Sequence, residues 1–133
     1  MKIILSELVA RMYSNHFMYT VYYIPTKQLI SISDDMDDVI EDYIIEDIDN
    51  SLNIINIPEV NQKEIMKSYI FNLENVKDQE VLLETFNKPN LYKNFKVALN
   101  SLGLATDYFE YEENIYNREA TNWCKENNLE FEG

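Results

Sequence analysis

Hydrophobic side chains recur at helical spacing through the last third of the chain, residues 89–131. Two helices that meet at Gly103 account for this spacing, the second over residues 107–128. Because each helix then has one apolar stripe, we predict that these stripes form the interior of the protein. The predicted buried positions are Leu91, Phe95, Ala98, Leu99 and Leu102 in the first helix and Phe109, Tyr116, Ala120, Trp123 and Cys124 in the second.

The first half of the chain contains segments typical of β-strands. Residues 17–24 are rich in aromatic and β-branched side chains, and Pro25 starts a turn before residues 28–33 return. This pattern predicts a β-hairpin. A third strand is predicted at residues 52–57, where Pro58 ends it.

Helices are predicted between and after these strands. Residues 5–13 have an apolar stripe, and so does a helix that Asp34 or Asp35 would cap, with Met36, Val39, Ile40, Tyr43, Ile44 and Ile48 as its buried side. The later predicted start and stop signals are a capping box at Asn61 and Glu64, a short helix over residues 78–86, a cap at Asn90, a left-handed stop at Gly103 and a second capping box at Asp107 and Glu110.

These elements predict an α+β fold. A small antiparallel sheet, the hairpin plus a third strand, is covered by four or five helices. We expect a single domain over residues 1–133, because no linker or repeat interrupts the pattern.

The charge balance narrows the range of partners. The chain has 24 acidic residues against 11 Lys and Arg, which gives a formal net charge of -13. This charge disfavours nucleic acid and anionic membranes as main partners and permits a basic protein. The first residues are too short for a signal-peptide core and no apolar run is long enough to span a bilayer, so we expect a cytoplasmic protein. The sequence does not define an oligomeric state.

The chain lacks the residues that several kinds of binding site and active site require. Only two glycines occur, Gly103 and Gly133, which excludes glycine-rich phosphate loops. One His and one Cys cannot form a His/Cys zinc cage, and Cys124 is predicted to be an ordinary buried residue rather than a nucleophile paired with His16. We therefore predict no catalytic residues, no metal and no cofactor.

An acidic segment is the first candidate site. No Lys or Arg occurs in residues 28–62, and Asp37, Asp38, Glu41 and Asp42 lie on the polar side of the predicted helix. A solvated negative face is one interpretation, and a docking face for a basic partner is the other. Carboxylates at this spacing could also support a metal-assisted hydrolase, if other elements supplied converging ligands.

A basic and aromatic cluster is the second candidate site. Lys88, Tyr92, Lys93 and Lys96 lie in a stretch without acids, residues 85–106. Such a cluster can hold an anion or single-stranded RNA, although three lysines more often cover the outer face of a helix.

The residues of the last third also resemble a known family. The run LYKNFKVAL from Leu91, then LGL from Leu102, DYF from Asp107, and Trp-Cys at 123–124 followed by Glu126 and Asn127 is similar to bacterial uncharacterised protein family 0158. The chain departs from the family at Lys93-Asn94, where an Arg pair is usual, and at Tyr108, where a Trp is usual. The resemblance implies a bacterial, cytosolic, single-domain protein and carries over no catalytic residues.

Our leading functional hypothesis is a non-enzymatic acidic module for protein interaction or regulation. The alternatives are a metal-assisted hydrolase that uses carboxylates and an RNA-associated accessory protein.

Overall fold

The computed structural model describes residues 2–15, 18–32 and 40–133. Within them the fold is α+β, as predicted, with six α-helices, a three-stranded antiparallel sheet and a two-stranded parallel pair. In chain order the elements are β1 (Ile3–Ile4), α1 (Leu5–Ser14), β2 (Tyr19–Tyr23), β3 (Gln28–Ile32), α2 (Asp42–Asp49), β4 (Ile54–Asn56), α3 (Gln62–Phe71), α4 (Val76–Glu84), a 3-10 turn (Thr85–Asn87), α5 (Leu91–Leu102), α6 (Ala105–Glu126) and β5 (Phe131–Glu132).

The chain divides into two compact units. The first unit comprises residues 1–60 and 116–133, and the second comprises residues 61–115. The single domain expected from the sequence therefore stays a prediction, and each unit is described by itself.

The first unit contains the predicted hairpin. β2 pairs antiparallel with β3 from Tyr19↔Ile32 to Tyr23↔Gln28, and on its other side it pairs antiparallel with β4. Four residues, 24–27, connect β2 to β3, and the Lys27 N–H donates to the Ile24 carbonyl at 3.2 Å. Lys27 adopts a left-handed φ of 55°, which non-glycine residues rarely do.

Buried side chains of α1, α2 and α6 form the core of the first unit. Ile44 and Ile48 of α2 join Val21 and Tyr23 of the sheet in one cluster. Further buried residues are Leu8, Val9 and Met12 of α1 and Tyr116, Ala120, Trp123 and Cys124 of α6. These positions confirm the predicted stripe of α1 and most of that of α6.

Trp123 is buried, as predicted, and it is also anchored. Its indole Nε1–H donates to the backbone carbonyl of Asn56 in β4 at 2.9 Å, and its ring meets the Tyr22 ring edge-on with centroids 6.3 Å apart. Only 7% of the Trp123 surface is exposed. The side chain therefore tethers the end of α6 to the sheet.

A short parallel pair joins the two ends of the described chain. Ile3 lies opposite Phe131 and Ile4 opposite Glu132, and the Ile3 N–H donates to the Glu130 carbonyl at 2.8 Å. The start of α1 and the segment that follows α6 are thus joined by backbone pairing.

Asparagine caps begin two helices of the second unit. The Asn61 side chain accepts from the Glu64 N–H at 3.2 Å, which confirms the predicted start of α3. Asn75 accepts from the Lys77 N–H at 2.9 Å and starts α4 two residues before Asp78. Each cap satisfies backbone donors that the helix itself leaves unpaired.

The core of the second unit is aromatic. The Tyr108 ring meets the rings of Tyr69 and Phe95 at centroid distances of 5.0 and 5.1 Å, both edge-on. The other buried apolar residues of this unit are Ile65, Met66, Ile70, Leu82 and Leu99. Gly103 ends α5 in the predicted left-handed conformation, with φ 72°, and the Leu104 N–H donates to the Leu99 carbonyl at 2.9 Å.

The predicted inner face of α6 is wrong at its start. Phe109 is 46% exposed, and the neighbouring Tyr108 is buried instead. The second capping box is also wrong, because α6 begins at Ala105 and places Asp107 inside the first turn. There the carboxylate of Asp107 accepts from the Tyr69 hydroxyl at 2.7 Å. Tyr108 faces inward because its ring packs between the rings of Tyr69 and Phe95.

Other predicted positions differ on single points. Asn90 precedes α5 in a left-handed conformation but makes no side-chain cap. Tyr43 is exposed rather than buried, at 56%. The proposed cap at Asp34 or Asp35 lies outside the described residues, as do Met36 and Val39 of the predicted stripe.

Candidate functional site

The candidate site is the outer face of α2, the described part of the acidic segment. α2 has a buried side, Ile44 and Ile48, that packs on the sheet. Because a helix advances about 100° per residue, Asp42, Glu46 and Asp49 fall on the opposite side. All three are exposed.

Apolar side chains accompany these carboxylates. Tyr43 is 56% exposed and lies three residues before Glu46, one turn along the helix. Ile45 is 38% exposed and lies four residues before Asp49, and Leu52 just beyond the helix is 54% exposed. The outer face thus combines negative charge with large apolar side chains, whose exposure to water is unfavourable.

Asp47 connects α2 to the sheet. Its carboxylate accepts from the Tyr23 hydroxyl at 2.5 Å and from the Asn53 amide at 3.3 Å. This hydrogen bond, together with burial, raises the pKa of Tyr23 to about 12. Asp47 is therefore engaged in the fold, whereas Asp42, Glu46 and Asp49 are left for other contacts.

The dipole of α2 favours the charge of Asp42, in the first turn, but not the charge of Asp49. Asp49 lies in the last turn, which contains no basic residue, and the carbonyl end of a helix disfavours negative charge. Asp42 and Glu46 are four residues apart, a spacing at which like charges destabilise a helix by about 0.2–0.5 kcal/mol. Among the described residues the one salt bridge is Arg118–Glu119, at 3.3 Å, so no cation of this part of the chain neutralises α2.

The structure places only half of the predicted acidic site. Glu41 and Asp42 are exposed at the start of α2, where the Glu41 carbonyl accepts from the N–H groups of Ile44 and Ile45. Asp37 and Asp38 lie outside the described residues. Sequence reasoning did not assign Tyr43 and Ile45 to this face, although their spacing from Glu46 and Asp49 was a readable signal.

The basic cluster belongs to the second unit and lies on and just before α5. Lys88, Lys93 and Lys96 are exposed, and Tyr92 is 47% exposed. Lys93 and Lys96 are one turn apart, so they share a helix face. This arrangement is what an ordinary outer helix face also presents.

The environment of Cys124 and the placement of possible metal ligands bear on the chemistry considered from the sequence. Cys124 is fully buried, and burial raises the pKa of its thiol, which disfavours the reactive thiolate. His16, its hypothetical partner, lies outside the described residues. Within the described ranges no group of three or more His, Cys, Asp or Glu side chains is placed to hold a metal ion.

Comparison with known proteins adds no relative: no protein-family model, curated protein or solved structure matches this chain. Of the helices in the described residues, none combines the length and apolar character needed to cross a membrane.

Proposed function

We propose that this protein is a non-enzymatic interaction module whose α2 face docks a basic segment of another protein. The observation that carries the proposal is the outer face of α2, where exposed carboxylates and exposed apolar side chains lie together without partners among the described residues. Glu41 and Asp42 belong to this acidic surface. A role for Asp37 and Asp38 in the same docking stays a prediction from the sequence, because both lie outside the described residues.

Electrostatics support a cationic partner. Negative charge in the last turn of a helix is unfavourable by about 0.3–1 kcal/mol, and the like-charge pair of Asp42 and Glu46 adds a few tenths. A Lys or Arg side chain placed over Glu46 and Asp49 would remove both penalties. The protein would thus be stabilised by binding, beyond the direct attraction between opposite charges.

The apolar side chains define the partner further. Tyr43 and Ile45 flank the carboxylates, so a partner that presented only lysines would leave their apolar surface in water. An amphipathic helix with Lys or Arg beside Leu or Ile would bury that surface, at roughly 25 cal/mol per Å². We therefore infer a basic amphipathic segment rather than a purely basic tail.

A synthetic helical peptide tests this proposal directly. A peptide of Lys and Leu, with Leu at three- and four-residue intervals, is titrated against the labelled protein by fluorescence anisotropy. We expect saturable binding that weakens as salt rises, because the Debye length falls from about 10 Å at 0.1 M to 3 Å at 1 M. An isomer of the peptide with the same composition but no apolar stripe should bind at least about threefold more weakly, because it cannot bury Tyr43 and Ile45 together.

Matched charge reversals separate a defined surface from bulk charge. The double variant Asp42→Lys, Glu46→Lys should bind the peptide at least about tenfold more weakly. Glu110→Lys, Glu113→Lys makes the same change of net charge at exposed positions of α6 and should change affinity less than about threefold. If the two double variants lose affinity equally, the affinity for the peptide depends on the net charge of the protein alone, and α2 is not a docking face.

The other proposals gain no specific support from the geometry. A metal-assisted hydrolase would need converging carboxylates, and the RNA hypothesis rests on Lys88, Tyr92, Lys93 and Lys96 as an ordinary helix surface. Cytoplasmic location and membership of uncharacterised protein family 0158 remain proposals that rest on the sequence.

A further inference from the structure

A second surface of the first unit has the opposite charge. A cavity of about 400 Å³ lies between the start of α1 and the turn that connects β2 to β3. Lys2, Arg11 and Lys27 line it, with Glu7 as the acidic residue among the lining side chains. Three of the chain's 11 cationic side chains therefore meet at one cavity of a protein whose net charge is -13.

The backbone adds to this positive charge. The cavity includes Ile4, the residue that precedes the first turn of α1, and no side chain caps the N–H groups of that turn. The N-terminus of a helix carries partial positive charge and attracts anions. The ten-residue helix thus contributes in the same direction as the three cations.

Arg11 is held in place from behind. Its Nη1 donates to the Ser31 hydroxyl at 2.5 Å, and Ser31 is itself hydrogen-bonded to the Thr20 hydroxyl at 2.7 Å. Both hydroxyls are buried in the hairpin. Within the described residues no carboxylate forms a salt bridge with Arg11, so its charge is not neutralised there. A guanidinium fixed by a neutral partner remains available to an anion.

Lys27 is held at the cavity by an unfavourable backbone conformation. Its φ of 55° is one that Gly, Asn or Asp adopts far more readily than Lys. Lysine at such a turn position raises the free energy of the folded hairpin. The backbone conformation therefore does not favour lysine here, and any advantage of lysine must come from its side chain. Lys27 belongs to the lining of the cavity.

We propose that this cavity binds a small molecule that carries a phosphate or carboxylate group. Arg11 provides the directional hydrogen bonds to the anion, Lys2 and Lys27 provide charge, and the start of α1 provides backbone N–H donors. The volume falls in the range of small-molecule sites. Glu7 and Gln28 add acceptors, so a ligand with a hydroxyl or amine beside its anionic group fits the lining. This site is independent of the α2 face and of the function proposed for it.

Titration with simple anions tests the site. Inorganic phosphate and citrate are added separately to ¹⁵N-labelled protein at constant ionic strength, with chloride as the balancing anion. We expect saturable amide shifts that are confined to residues 2–7, to Arg11 and to residues 27–29. Preference for phosphate or for citrate distinguishes the two kinds of anionic group. Shifts that rise linearly without saturation, or that spread over the other lysines, would overturn the proposal.

Four variants test both the direction and the magnitude of the expected change in anion affinity. Arg11→Gln should weaken binding about tenfold, and Lys27→Asn several-fold while the folded protein becomes more stable. Glu7→Gln should strengthen binding, because it removes the opposing charge. The control Lys63→Gln changes an exposed lysine of the second unit and should leave affinity unchanged.

Lys27→Asn keeps the proposal testable even if Arg11→Gln does not fold, because Asn adopts the positive φ of this turn position more readily than Lys. Weaker binding by Glu7→Gln, or equal weakening by Lys63→Gln and Lys27→Asn, would show that the cavity is not an anion site.

Discussion

Replacing Trp123 by Phe is the sharpest test of how α6 is attached to the sheet. The change keeps an aromatic ring in the core but removes the indole N–H that donates to the Asn56 carbonyl at 2.9 Å. Asn56 belongs to β4, whose pairing opposite Val21 holds the edge of the sheet. The substitution therefore acts on one hydrogen bond and on part of one buried side chain.

The expected loss of stability follows from these two contributions. One hydrogen bond contributes a net of about 1 kcal/mol, and the missing part of the fused ring removes apolar burial of about the same size. For Trp123→Phe we expect a decrease of about 2 kcal/mol in the free energy of unfolding. For a chain of 133 residues this corresponds to a fall in Tm of roughly 7 °C. Trp123→Ala, which empties the site, should cost about 3–5 kcal/mol.

Urea unfolding followed by far-UV circular dichroism measures these values, since the Phe variant has no tryptophan to report by fluorescence. Asn122→Ala is the matched control, because it alters the exposed neighbour on the same helix and should change stability by less than about 0.5 kcal/mol. A Trp123→Phe variant as stable as this control would refute the assignment of Trp123 as the anchor of α6.

Three further predictions concern ionisation, backbone conformation and the thiol. An ordinary tyrosine ionises near pH 10, whereas the hydrogen bond to Asp47 and burial raise the pKa of Tyr23 to about 12. The folded state therefore keeps this proton longer, so stability is complete below pH 10 and falls between pH 10 and 12; Tyr23→Phe should flatten that fall in urea midpoints. Gly103→Ala should cost about 1 kcal/mol from its positive φ alone, since no atom lies within 4 Å of the added methyl group, and Gly103→Asn should cost less in the same assay. Cys124 should react with a thiol reagent only at the rate of unfolding, and immediate labelling of the native protein would contradict its burial.

Local signals predicted the parts of the fold that depend on neighbours along the chain. Gly103 was assigned correctly because a left-handed helix stop favours glycine whatever surrounds it. The stripe through Tyr116, Ala120 and Trp123 was readable because one helix face was apolar along its length.

The start of α6 could not be assigned in this way. Tyr108 and Phe109 are both aromatic and differ by about 100° around the helix. Tyr108 rather than Phe109 packs on the ring of Tyr69, which lies far away in the sequence, so local signals could not choose between them.

The two candidate sites differ in the same respect. The exposed position of Asp42 followed from the spacing of Ile44 and Ile48, which are local. The cavity at Lys2, Arg11 and Lys27 was not predicted, because these cations come from the residue before β1, from α1 and from the turn between β2 and β3, which only the folded chain brings together. The net charge of the whole chain is negative and therefore does not indicate a local cluster of cations.

The pairing of Ile3 with Phe131 has a consequence for the order of folding. Residues 131 and 132 must be synthesised before β1 can pair with β5. If α1 forms earlier, it therefore forms without the strand pair that precedes it in the folded protein. Loop closure over such a separation carries an entropic cost that rises only with the logarithm of length, but it delays the contact. The start of α1 is also one wall of the cavity lined by Lys2, Arg11 and Lys27, so a nascent chain would complete that binding site only after residues 131 and 132 have been synthesised.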